Sequence, residues 1–256
     1  MVTPERLSRL DRIDALRAVA MLWMTAYHFA FDLDHFRLIV QDFHRDPFWT
    51  WQRTAIVSLF LFTAGLSQAV ALEQTRGLGQ GWRRFWRRWA QVAGAALLVS
   101  AGSALMFPKT FIYFGVLHGI AVMLIVVRLT AGWGGWLWPL GALAIGARFA
   151  APLIIAAVPA LEVFNTPGLN ALGFISRLPV TEDYVPLQPW LGVMWWGVAA
   201  GRWALAHRPQ WLGAADAPAT GLCRGLAVLG RWSLSYYLLH QPVLIGLVTA
   251  FVWLRG

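Results

Sequence analysis

Arg17 and His28 stand eleven residues apart in one apolar stretch, with Asp14 a turn before the arginine and Asp32 a turn after the histidine. Imidazole works as a base or a nucleophile near neutral pH. On a helix turning about 100° per residue, Arg17 and His28 differ by only about 20° in azimuth and about 16 Å in height. Asp14 and Asp32, eighteen positions apart, fall on nearly the same line, so the ionisable side chains form a single stripe, with Leu16, Val19, Leu22 and Trp23 elsewhere. A charge facing lipid costs several kcal/mol, so such a stripe must look into a helix bundle or a wet cavity.

Other polar residues interrupt the later apolar stretches. They are His118, then Asp183, Gln188 and Trp190, and then Ser233, Tyr237, His240 and Gln241 followed by Pro242. A proline within a membrane helix frees a carbonyl that protein or water must satisfy. Arg83, Arg84, Arg87 and Arg88 form the strongest basic block, among Trp82, Phe85, Trp86 and Trp89. Each group also has a purely structural reading. Asp14 and Arg17 can neutralise each other as an i,i+3 pair, a histidine can brace a bundle, and the arginines can fix topology.

The elements that must position these residues follow from composition. The chain has 256 residues, 58% apolar and 13% charged, with sixteen Trp, and several stretches reach the roughly 20 residues that cross hydrocarbon. The expected fold is all-α, a polytopic membrane bundle forming one domain over 1–256. About seven spans are expected, near 13–33, 54–72, 90–107, 111–127, 136–158, 187–206 and 226–253, with an interfacial helix at 82–89. A cytoplasmic N-terminus places about twice as many Arg and Lys inside as outside, which the positive-inside rule favours. The first span carries charges and lacks a small-x-small cleavage site, so it is expected to be retained. The net charge of +9 belongs to loops flanking spans, which argues against nucleic acid as a partner. A single cysteine, Cys223, rules out a disulfide framework, and no metal site is expected.

Five segments carry a resemblance: Ile13-Asp-Ala-Leu-Arg17, Phe60-Leu-Phe-Thr-Ala-Gly-Leu-Ser67, Phe114-Gly-Val-Leu-His-Gly-Ile-Ala121, Asp183-Tyr-Val-Pro-Leu-Gln-Pro-Trp-Leu-Gly192 and Leu229-Gly-Arg-Trp-Ser-Leu-Ser-Tyr-Tyr-Leu-Leu-His-Gln-Pro242. Arg17 and His28 resemble the first-helix motif of the acyltransferase 3 group. In order and extent the whole set resembles the related heparan-α-glucosaminide N-acetyltransferase-like family. The resemblance implies transfer of an acetyl or other acyl group from cytoplasmic acyl-CoA to an envelope sugar across the inner membrane. It makes His28 the catalytic group, with Asp14 and Arg17 ordering the inner end of the passage. By charge, Arg83, Arg84, Arg87 and Arg88 are expected to attract the nucleotide phosphates of such a donor from the cytoplasm. His118, Asp183, Gln188 and Trp190 are placed on the acceptor side, and Ser233, Tyr237, His240 and Gln241 around the pantetheine arm or thioester. In the lysosomal enzyme that names the family, asparagine occupies the position of His28, and its active histidine, counted back without gaps from Phe60-x-Phe-x-x-Gly65, falls on His44. His44 is therefore the second catalytic candidate.

The expected partners are the bilayer, acyl-CoA and a glycan acceptor, with a homodimer compatible with this reading. Two other classes use similar residues. A small-solute or proton-coupled transporter lines a passage with His, Asp and Arg. A haem-binding electron carrier uses paired histidines. The absence of an internal repeat argues against an inverted-repeat transporter.

Overall fold

The computed structural model describes residues 10–75, 81–212 and 221–255. These form α1 (Asp11–His35), α2 (Pro47–Gln74), α3 (Gly81–Met106), α4 (Val116–Thr130), α5 (Leu137–Ala157), α6 (Leu187–His207), α7 (Gly221–Arg231) and α8 (Ser233–Leu254). Short 3-10 turns lie at Ala131–Trp136, Pro159–Asn165, Leu169–Leu172 and Pro209–Leu212. Among the described residues there is no β-strand, only a bridge between Phe114 and Tyr184. By length and composition four helical stretches can cross a membrane: Pro47–Gln74, Gly81–Met106, Val116–Ala157 and Ser233–Leu254. Large apolar side chains such as Leu97, Leu105, Leu143 and Phe149 stand exposed on these helices, as lipid-facing residues do. The chain is an all-helical membrane protein. Arg17, His28 and Asp32 dilute the apolar character of α1, which is not among the four.

Several expected boundaries move. α2 starts at Pro47, seven residues before the expected span, because the Asp46 carboxylate accepts the Phe48 amide at 2.9 Å and proline is favoured in a first helical turn. The arginine block is not a separate interfacial helix. It forms the first two turns of α3, with no proline to break the chain before Pro108. α4 begins only at Val116, since 107–115 is tied into a loop described below. The span expected at 226–253 is broken at Trp232 (φ −93°, ψ 16°) into α7 and α8. Residues 1–9, which carry Arg6 and Arg9, lie outside the described residues.

The chain divides into two compact units, Leu61–Pro209 (the central unit) and Arg9–Phe60 with Gln210–Gly256 (the terminal unit). In the terminal unit α7 lies backbone to backbone on α1. A Cβ on Gly230 would collide with the Asp14 carbonyl, and Ala18 and Ala227 are fully buried. Arg231 reaches Asp11 at 2.8 Å, and Arg12 donates to the Gln210 carbonyl at 2.8 Å. Met24, Tyr27, Phe43 and Ile56 form an apolar cluster flanked by Trp49, Tyr236 and Tyr237.

The central unit is built on small residues of α6. A Cβ on Gly197 would strike the Phe62 carbonyl and come within 3.1 Å of the Gly65 Cα. A Cβ on Gly201 would lie 2.7 Å from Ala69, and one on Gly192 would strike the Gly141 carbonyl of α5. Gly197 and Gly201 are spaced as a GxxxG pair against Gly65 and Ala69. Such pairs let membrane helices gain van der Waals contact at short backbone distance.

Candidate functional site

In the terminal unit α1 and α8 meet through two successive polar rungs. Nδ1 of His28 lies 2.8 Å from Nε2 of His240, with the rings nearly parallel. The next rung pairs Gln241 with Asp32, Nε2 donating to Oδ1 at 2.8 Å. His28 and Asp32 are one turn apart on α1, about 6 Å by helical rise. Aromatic rings surround the first rung. Tyr236 stacks on His240 at 6.1 Å, Tyr237 lies at 5.6 Å, and Tyr27 meets His28 edge-on at 5.9 Å. Thr25 and the Tyr236 hydroxyl hydrogen-bond at 2.6 Å.

The hydrogen bonds fix the tautomers. Nδ1 of His240 lies 2.7 Å from the Tyr237 carbonyl, which only accepts, so Nδ1 carries the proton. In the neutral ring Nε2 of His240 is then an acceptor, and Nδ1 of His28 must donate to it. His28 is left with its lone pair on Nε2, which has no hydrogen-bond partner among the described residues. That arrangement, an imidazole oriented by a second group with its other nitrogen open, is what general-base or nucleophilic catalysis requires.

The second rung carries unused acceptors. Asp32 Oδ2 and Gln241 Oε1 are buried without a hydrogen-bond partner among the described residues, and Asp32 is 4% exposed. Buried acceptors left unpaired cost about 1–3 kcal/mol each, more when charged. The pair can accept N–H or O–H groups from a molecule entering beside His28. The sequence placed Asp32 on the stripe without giving it a role; the signal was its register one turn beyond the histidine.

The remaining terminal-unit residues separate in kind. Asp14 binds Arg17 at 2.6 Å within α1. His44 is exposed on the loop before α2, its ring edge-on to Phe31 at 6.5 Å and its amide donating to Asp42. Ser233 starts α8, two turns before His240.

In the central unit, His118 and Asp183 gather at the start of α4. Asp183 Oδ2 accepts the Val116 amide at 2.8 Å and so caps the helix, and Gly115 leaves the room that a Cβ would take from this carboxylate. The Gly115 amide points to Nδ1 of His118 at 3.3 Å, so the proton sits on Nε2, which donates to Ser100 at 3.0 Å; Ser100 in turn donates to the Ile112 carbonyl at 2.6 Å. Both nitrogens of His118 are thus engaged in holding the 107–115 loop on α3. Gln188 and Trp190 lie at the start of α6, where Gln188 departs from helical geometry (φ −94°, ψ 135°) and its Oε1 is buried without a described partner.

Tyr184 joins this region to Asn170, its hydroxyl donating to the Asn170 carbonyl at 2.6 Å while Asn170 reaches Tyr113 at 2.8 Å. Burial holds the Tyr184 phenol well above its ordinary value, with Tyr113 adding to the shift and Arg148 opposing it. The folded protein therefore keeps this proton where the unfolded chain has lost it. Its stabilising effect is complete below about pH 10 and declines as pH rises beyond. Tyr184→Phe is expected to cost about 1 kcal/mol at neutral pH through the lost hydrogen bond, and to flatten the alkaline decline between about pH 10 and 12. Thermal unfolding across that range checks both.

Arg83, Arg84, Arg87 and Arg88 are all exposed on the first turns of α3. Their i,i+4 spacing divides them into two stripes, Arg83 with Arg87 and Arg84 with Arg88. Among the described residues, no group of three or more His, Cys, Asp or Glu is arranged to hold a metal ion.

No curated protein and no solved structure matches the chain. A family model for the catalytic domain of heparan-α-glucosaminide N-acetyltransferase matches residues 9–242, a range that takes in α1, both rungs and the start of α4. The chain belongs to the heparan-α-glucosaminide N-acetyltransferase catalytic family.

Proposed function

We propose that this protein is a membrane acyltransferase that moves an acetyl group from acyl-CoA to an amino group or hydroxyl of a sugar, with His28 as the base. The observation that carries the reading is the hydrogen-bonded chain from the Tyr237 carbonyl through His240 to His28, which leaves the His28 Nε2 lone pair open. Nε2 takes the proton of the acceptor as its nitrogen or oxygen attacks the thioester carbonyl. The tetrahedral intermediate collapses with cleavage of the C–S bond, and the leaving thiolate recovers the proton from His28. His240 holds the ring and its tautomer, and Asp32 and Gln241 receive the acceptor's remaining N–H or O–H groups.

In this reading α1–α6 and α8 would be seven spans of the inner membrane, with the N-terminus in the cytoplasm. The donor would then enter from the cytoplasm and the acceptor, an envelope glycan, from the other side. Arg17, paired with Asp14, orders the inner end of that path. In the central unit, His118 and Asp183 fix the start of α4, and Gln188 and Trp190 stand at the start of α6. Ser233 and Tyr237 pack along the pantetheine arm.

The test is transfer of radiolabel from acetyl-CoA to glucosamine by purified protein in detergent. Labelled N-acetylglucosamine supports the reading. Countertransport by reconstituted vesicles with no transfer would replace it with the transporter. Asp32→Ala is expected to raise KM for glucosamine about tenfold or more, since it removes a charged hydrogen-bond acceptor. KM for acetyl-CoA is expected to change by less than about twofold, because the donor does not use that carboxylate.

A further inference from the structure

A cationic cavity in the central unit takes in only two of the four arginines of the basic block. The last turns of α2, the first turns of α3 and the end of α4 enclose a cavity of about 130 Å³, bordered by Arg84, Arg88, Arg128, Trp89 and Thr75. Arg128 was not among the residues singled out from the sequence. Its guanidinium lies 5.1 Å from the Trp82 ring centre and 5.6 Å from that of Phe85. Gly81 permits this placement, since a Cβ there would come within 2.7 Å of Arg128 Nη2.

A basic residue in the last turn of a helix commonly caps its carbonyls. Arg128 does not do so. It makes no hydrogen bond or ion pair with any described residue, and its cation rests on aromatic faces. Arg84 likewise has no such partner among the described residues. Of the two arginine stripes of α3, Arg84 and Arg88 border the cavity, whereas Arg83 and Arg87 do not. Arg84 and Arg128 border one small space and repel each other, beside Arg88, which donates to Gln91 at 3.3 Å, and the first amides of α3 add partial positive charge at the same end. An anion relieves both effects, and arginine forks match phosphate oxygens. The volume is below the roughly 300–1,000 Å³ of sites that enclose a drug-sized ligand, so it suits one phosphate group with the rest of its molecule outside.

We propose that the cavity bordered by Arg84, Arg88 and Arg128 is a phosphate-binding site. Two sources share that chemistry, a phosphate of CoA and the headgroup of an anionic lipid. The first rests on the acyl-CoA reading above, and the second does not.

The test measures binding of CoA, 3′-dephospho-CoA and short-chain phosphatidic acid to the full chain in nanodiscs of phosphatidylcholine. The proteins compared are wild type, Arg84→Gln, Arg128→Gln and the control Arg177→Gln, whose residue faces Glu162 on an exposed loop. Thermal unfolding verifies each fold, and the exposed Arg84 provides a reading should Arg128→Gln fail to fold. If CoA fills the site, its affinity is expected to fall about tenfold or more in Arg84→Gln and Arg128→Gln and to stay unchanged in Arg177→Gln. A loss confined to CoA, with dephospho-CoA binding all variants alike, assigns the cavity to the 3′-phosphate. If the lipid fills it, phosphatidic acid shows that dependence and CoA does not. Wild type that binds CoA with no effect of either cavity arginine on any probe overturns the site while leaving the donor reading intact. Wild type that binds only phosphatidic acid, through these arginines, overturns the donor reading and keeps the site. Wild type that binds none of the probes overturns both.

Discussion

Alanine at position 28 is expected to lower acetyl transfer by about 10²- to 10⁴-fold, the usual contribution of a positioned base. The loss should appear in kcat, because Nε2 acts on a proton that moves in the transition state, whereas KM for either substrate should change little. His240 acts through His28 and is expected to behave as a positioning residue. His240→Leu removes the acceptor for the His28 Nδ1 proton and lets the ring turn, a misplacement that costs about 10²-fold. His240→Gln can offer an amide oxygen to the same proton, so part of the rate should return. A purely structural role would give no such recovery. The measurement is steady-state acetyl transfer by each purified variant with its fold verified. Should His28→Ala retain full transfer while His44→Ala abolishes it, the reaction belongs to the exposed loop histidine.

Leucine at position 197 is expected to give the largest loss of stability in the central unit. Most over-packed positions cost about 1–3 kcal/mol, because side chains can shift to make room. At Gly197 the obstacles are the Phe62 carbonyl and the Gly65 Cα, which are backbone. Relief then requires α2 and α6 to separate, which also opens the contact of Gly201 with Ala69. A loss of more than about 3 kcal/mol is expected, seen as poor recovery of folded protein and a much lower Tm. Gly146, which has nothing within 4 Å of a Cβ, is the matched control, and Gly146→Ala should be neutral or slightly stabilising. A Gly197→Leu protein with wild-type Tm would show that the close approach is not needed.

The sequence by itself determined which segments are helical, because apolar runs and their periodicity are local properties of the chain. It also placed Asp14, Arg17, His28 and Asp32 on one stripe, since helical geometry converts spacing directly into azimuth. The i,i+4 division of the four arginines was readable in the same way. The break at Trp232 was not, because 226–253 is mostly apolar and contains no proline before Pro242. Backbone contact between Gly230 and Asp14 fixes α7 on α1 instead, and that contact joins positions 216 residues apart. Tertiary structure alone decided the partner of His28, 212 residues away, and with it the nitrogen that carries the proton. It also brought Arg128 from the end of α4 to the start of α3, selecting Arg84 and Arg88 over Arg83 and Arg87 as cavity residues. Spacing along one helix states which side chains share a face; what that face meets depends on how distant helices pack.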